Sequence, residues 1–193
     1  MKLVEQIEET VGTCHQHHHI IYDIAKSYPE DYLLNYLEIG CGAGASACLM
    51  LQRPNTNVTT IDTGVMVDQV IAIQNMDNHN PHKNKFSYIK GDSHLPEIRE
   101  CIEKKVDILF IDGDHSFYGV ISDFNLYQDL VLKGGYIIFD DYSHFIGCPE
   151  IKGAVDSLNL EGYEIIGTID NVLGARGVAE NNTKGNCFII RKL

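Results

Sequence analysis

Three scarcities bound what this chain of 193 residues does. No apolar run approaches the ~20 residues that a membrane-spanning helix needs, so no span is expected. The six cysteines, at 14, 41, 48, 101, 148 and 187, form no Cys-x-x-Cys pair, which removes the usual thiolate zinc spacing. Several fall in apolar segments and read as reduced, buried thiols of a reducing compartment. Basic residues are few, 15 against 27 acidic ones, for a net charge of -12. Binding to phosphate backbones is driven by basic patches, so neither nucleic acid nor an anionic membrane is expected as the main partner. Internal repeats and low-complexity segments are also missing. The first residues, Met1 to Glu9, carry acids where a secretory signal is apolar. A cytoplasmic setting is the resulting expectation.

What is present suits one domain over 1–193, since 44% of the residues are hydrophobic and 22% charged, an ordinary globular balance. An N-terminal helical segment is expected over 1–30. There Leu3 and Ile7, then Ile20, Ile21, Ile24 and Ala25, repeat at helical spacing, with a join near Gly12 and Thr13. Strand patterns follow at 35–39, 58–62, 86–90, 106–111, 136–139, 163–168 and 187–191. Helical patterns lie between them. They run over 45–51, through Val67, Val70 and Ile71, through Leu95, Ile98 and Ile102, through Val120, Phe124, Tyr127 and Val131, and over 149–158 behind Pro149. Strands joined by helix-length segments predict an α/β fold, a Rossmann-like and mainly parallel sheet with helices on both faces. The last two strands are separated by a stretch rich in Gly and Asn, not by a helix. That predicts an antiparallel pair at the sheet's edge.

Ligands of open α/β sheets bind outside the carboxyl ends of the strands. One such end carries Glu38, Ile39, Gly40, Cys41, Gly42, Ala43 and Gly44, leading into a helix. Glycines there let the chain turn tightly and let a ligand approach the backbone. Glu38 is a candidate for a cationic amino group, directly or through water. Asp62, ending the second strand, is a candidate acceptor for ribose hydroxyls. Asp92 and Ser93, after the third strand, are candidates for an adenine amino group. Asp62 and Asp92 also read as simple helix N-caps. The other notable end carries Asp112, Gly113, Asp114 and His115, and the next strand ends in Asp140 and Asp141. Two strands would thus deliver three carboxylates and a histidine to one spot.

The ordered Glu38, Gly40, Gly42, Asp62 and Asp92 resemble the class I S-adenosylmethionine-dependent methyltransferases, from about residue 35 onward. The resemblance implies a seven-stranded sheet with an antiparallel last strand. Asp112, His115, Asp140 and Asp141 further resemble a subgroup of metal-dependent O-methyltransferases acting on sugar hydroxyls of natural products. By that resemblance Asp112, Asp140 and Asp141 hold Mg²⁺, His115 is the general base, and the acceptor is a small hydroxylated molecule. The first acid of the pair is often Glu in that subgroup; Asp140 is one methylene shorter. A nicotinamide-dependent oxidoreductase is the rival, because Gly40 and Gly42 followed by Ala45 also satisfy a dinucleotide loop. The segment from Gly12 to His19 resembles the subgroup's substrate-side segment. Its histidines at 15, 17, 18 and 19 complete no zinc spacing and read as a lid, a substrate wall or exposed residues. His144 is a second candidate base, and Arg176 a candidate anion contact or an exposed residue. A homodimer is the expected assembly if a second subunit completes the pocket.

Overall fold

The computed structural model describes residues 2–12, 18–143, 147–168 and 186–193. Seven strands form one sheet in the order β3-β2-β1-β4-β5-β7-β6. They are β1 (Leu34–Ile39), β2 (Thr56–Asp62), β3 (Phe86–Lys90), β4 (Val106–Ile111), β5 (Val131–Phe139), β6 (Tyr163–Thr168) and β7 (Phe188–Lys192). Pairings from β3 through β5 are parallel. β7 alone runs antiparallel, inserted between β5 and β6. This is the predicted architecture. The helices are α1 (Lys2–Val11), α2 (His19–Lys26), α3 (Ala45–Met50), α4 (Gln69–Asn78), α5 (Pro96–Glu100), α6 (Phe117–Tyr127) and α7 (Pro149–Asp156). Among the described residues no helix is long and apolar enough to cross a membrane.

The sheet holds its centre by being covered on both sides. Every residue of β4 is buried, the pattern of a parallel strand packed on both faces. Its side chains alternate between two cores. Ile108 and Phe110 join Ile7, Ile21, Leu49 and Met50 beneath α1, α2 and α3. Leu109 and Ile111 join Val120, Phe124, Ile151 and Ala154 beneath α6 and α7. One expectation fails here. Val131 continues the apolar spacing of α6, but the helix stops at Tyr127 and a 3-10 turn intervenes over Gln128–Leu130. Val131 instead opens β5 and pairs with Val106, because a β-branched apolar side chain gains as much from the sheet as from a helix face.

At the amino ends of the strands, Arg53 is buried and donates to the carbonyls of Tyr28, Pro29, Tyr32, Pro54 and Asn55. This one guanidinium closes the turn before β1 onto the entry to β2. Arg53→Met is expected to destabilise the fold by about 2–4 kcal/mol, since it strands several buried acceptors. Urea unfolding followed by circular dichroism measures this; an unchanged midpoint would show that water replaces the guanidinium without cost.

Candidate active site

The strand ladders overrun the strands and fix the site's backbone. Gly40 donates to the Ile61 carbonyl at 2.8 Å, Asp112 to Ile39 at 2.8 Å, Asp140 to Ile111 at 3.0 Å and Gly91 to Asp62 at 3.0 Å. The residues after β1, β3, β4 and β5 are therefore tied to one edge. Strand order reverses between β1 and β4, and a cleft of about 550 Å³ opens there, the position and size expected for a small-ligand site. Of the residues singled out in the sequence, Gly40, Gly42, Asp62, Asp92, Ser93, Asp112, His115 and Asp141 line it. Met66 and Val67, from the turn after β2, form part of its rim.

The glycine loop is made by two different constraints. Gly40 has φ +86°, and a Cβ there would lie 1.9 Å from the Asp112 carbonyl oxygen. Gly42 has φ +50° and open space where a Cβ would point, so a ligand can approach its backbone. Asp62 braces the loop: one carboxylate oxygen accepts from Cys41 N at 2.7 Å and Gly42 N at 2.9 Å, and the other from Gly64 N at 2.7 Å. It is neither a helix cap nor a free acceptor. Asp92 is exposed and accepts from His94 N at 2.9 Å. Ser93 is buried and donates to Asp123 at 2.7 Å. Asp123 of α6 is fully buried, and burial pushes its carboxyl up to about 6.

Glu38, expected to hold a cationic amino group directly or through water, makes no direct contact with the cleft. It is fully buried behind the loop and accepts from the Ser46 hydroxyl of α3. Burial pushes its carboxyl well above the usual range.

At the other end of the cleft His115 Nε2 lies 3.2 Å from Asp112 Oδ1. The hydrogen bond to Asp112 raises the imidazole pKa, against a smaller opposing effect of burial. Asp112 is itself raised to about 7, by burial first and the neighbouring Asp140 second. His115 Nδ1 lies 3.1 Å from Cys148 Sγ, and that thiol donates to Asp141 at 3.4 Å.

Asp140 and Asp141 both stand near enough to Asp112 for their charges to raise its carboxyl. Asp140 is buried, with one oxygen 3.0 Å from His18 Nε2 and the other accepting from Cys187 Sγ at 3.3 Å. Asp140 itself does not line the cleft, although His18 and Asp112, whose donor atoms lie within 4.8 Å of its own, both do. Among the described residues, donor atoms within 4.8 Å of one another belong to two mixed sets: His18, Asp112 and Asp140, and His115, Asp141 and Cys148. Mg²⁺ prefers oxygen ligands throughout, so neither set suits it. His18, from the histidine run singled out in the sequence, also lines the cleft; Ser46, Asp123, Cys148 and Cys187 are the functional neighbours that sequence reasoning missed, and His144, Arg176, His15 and His17 lie outside the described residues.

Residues 37–142 match the model of a family described as a methyltransferase domain. The chain belongs to that family. This methyltransferase is 33% identical over 195 residues to Uncharacterized protein R132 of Acanthamoeba polyphaga mimivirus, covering 93% of this chain and 88% of the relative. Its fold, shared with class I S-adenosylmethionine-dependent methyltransferases, matches an O-methyltransferase of Bacillus cereus solved with S-adenosylhomocysteine. That match has a TM-score of 0.62 and 16% identity, and covers 100% of this chain and 98% of the other. It also matches CalS11, a TDP-rhamnose 3'-O-methyltransferase of calicheamicin biosynthesis, at a TM-score of 0.61 and 12% identity, covering 97% and 86%. At such identities these likenesses are of fold. No finding favours the oxidoreductase reading.

Proposed function

We propose that this methyltransferase uses S-adenosylmethionine to methylate a hydroxyl of a small acceptor, a sugar or natural product, with His115 as general base. The Asp112–His115 pair at the mouth of the glycine-loop cleft carries the reading. The open face of Gly42 and the cleft's volume suit an adenosine-sized ligand. When bound, that cofactor supplies an electrophilic methyl group on a sulfonium.

The chain's own residues do the rest. The Gly40 and Gly42 backbone gives the ligand a close approach. Asp62 orders the loop and, because each carboxylate oxygen has two lone-pair sites, can still accept from ribose hydroxyls. Asp92 and Ser93 flank the adenine end. A hydroxyl loses its proton to His115 at Nδ1, while Asp112 on Nε2 orients the ring and stabilises its protonated form. No step is routed through Mg²⁺. The hydroxylated acceptor draws support from the O-methyltransferase of Bacillus cereus and from CalS11, which share this fold.

Calorimetry of chelator-treated protein with S-adenosylhomocysteine, and separately with NAD, tests the cofactor. Binding of the first alone is the expected result. NAD binding without S-adenosylhomocysteine binding would overturn the reading.

A further inference from the structure

We propose that His115, Asp141 and Cys148 form a binding site for a borderline-soft divalent cation of the Zn²⁺ class. Their donor atoms lie within 4.8 Å of one another, so one ion can reach all three. Imidazole nitrogen, carboxylate oxygen and thiolate sulfur together select zinc-class ions over Mg²⁺. Three protein ligands also leave a fourth position for water or substrate, as in catalytic rather than structural zinc sites.

Two further features mark this as more than a chance cluster. The first is the hydrogen bond from His115 Nε2 to Asp112. Metal-bound histidines characteristically donate their other ring N–H to a carboxylate, which fixes the tautomer and aims the remaining lone pair. The second is rigidity. Asp141 sits at the end of β5 in the left-handed region, φ 52°. Cys148 directly precedes Pro149 of α7, and His115 directly precedes Ser116, the N-cap of α6. The two helices are joined where Phe117 N donates to Glu150 at 2.8 Å. Without a cation, burial and the Asp141 carboxylate hold Cys148 as a thiol, pushed up to about 12. A bound dication takes the place of that proton.

The site has a consequence that rests on the proposed function. The ion occupies Nδ1 of His115, the atom that takes the acceptor's proton. Cation and acceptor hydroxyl compete for one lone pair, so loading silences the base.

The test is titration of the chelator-treated chain with Co²⁺ as a spectroscopic probe, with S-adenosylhomocysteine calorimetry on the same sample. A thiolate-to-cobalt absorption band saturating at one ion per chain is expected, displaced by Zn²⁺ and indifferent to millimolar Mg²⁺. Cys148→Ser should abolish the band. Asp112→Asn, which touches the ion only through His115, should weaken binding about 10–100-fold. In the Zn²⁺-loaded chain the imidazole NMR signal missing from His115→Gln should stop titrating with pH. No band, or a band that survives Cys148→Ser, overturns the site; a His115 that still titrates in the loaded chain overturns the competition. Cobalt binding without S-adenosylhomocysteine binding would sink the methyltransferase mechanism and leave the site standing. The reverse result would sink the site alone.

Discussion

Replacing His115 by alanine in the chelated enzyme lowers kcat about 10²–10⁴-fold, the usual worth of a positioned general base. The loss falls on kcat rather than on acceptor KM, because the proton is in motion only in the transition state. The pH profile gives the sharper test. A base works when neutral, so the rate climbs with pH through the pKa of His115 and then levels. Asp112 holds that pKa above the ordinary imidazole value by favouring the protonated ring. The wild-type acid limb should therefore lie above pH ~6.5. Asp112→Asn removes the anion. Its acid limb should move to lower pH while the plateau falls, since the ring also loses its orienting partner. A limb that stays in place would show that Asp112 does not set the basicity of His115. A plateau that is unchanged in His115→Ala would remove the base assignment altogether.

The strand-end logic was legible because it depends on local pattern alone. Apolar runs stop where glycines or acids begin, and in a parallel sheet those stops fall on one edge. Residues 106–111 could be read as a doubly covered strand, and Asp112 and His115 followed as residues of its carboxyl end. Side-chain direction was not legible. Glu38 and Asp62 were correctly placed at strand ends, yet Glu38 turns inward to Ser46 and Asp62 turns onto the loop amides. Asp62 braces the loop while still lining the cleft, whereas Glu38 is turned away from it.

Pairings across long stretches of chain were harder still. His18 meets Asp140 across 122 positions, and Cys148 meets His115 across 33. The histidine run before β1 was a signal without a direction. Cys148 had a usable clue, as the thiol immediately before the Pro149 that opens a helix, returning α7 toward the edge where β4 and β5 end. Its partner was not encoded in any local spacing. Val131 shows the opposite failure: a helical period carried past the end of its helix by coincidence.

Gly40→Ala and Gly42→Ala should separate the two jobs of the glycine loop. At Gly40 the added methyl would overlap the Asp112 carbonyl, 1.9 Å from its oxygen and 2.4 Å from its carbon. That carbonyl cannot retreat freely, because Asp112 N is tied to Ile39. The left-handed φ adds about 1–2 kcal/mol for any residue with a Cβ. A destabilisation of about 2–4 kcal/mol follows; at roughly 2–4 °C per kcal/mol for a domain of this size, Tm should fall by about 5–15 °C. Gly42 is also left-handed, but its methyl would meet nothing in the protein and would stand at the cleft. Its variant should lose only about 1–2 kcal/mol of stability, yet bind S-adenosylhomocysteine at least about tenfold more weakly, since the methyl takes the space the ligand needs. Thermal unfolding and calorimetry on both variants decide the matter. Equal Tm losses would mean that the two glycines serve only the turn. A Gly42→Ala protein with unimpaired binding would mean that the ligand does not lie against this loop, and the cofactor assignment would have to leave this end of the cleft.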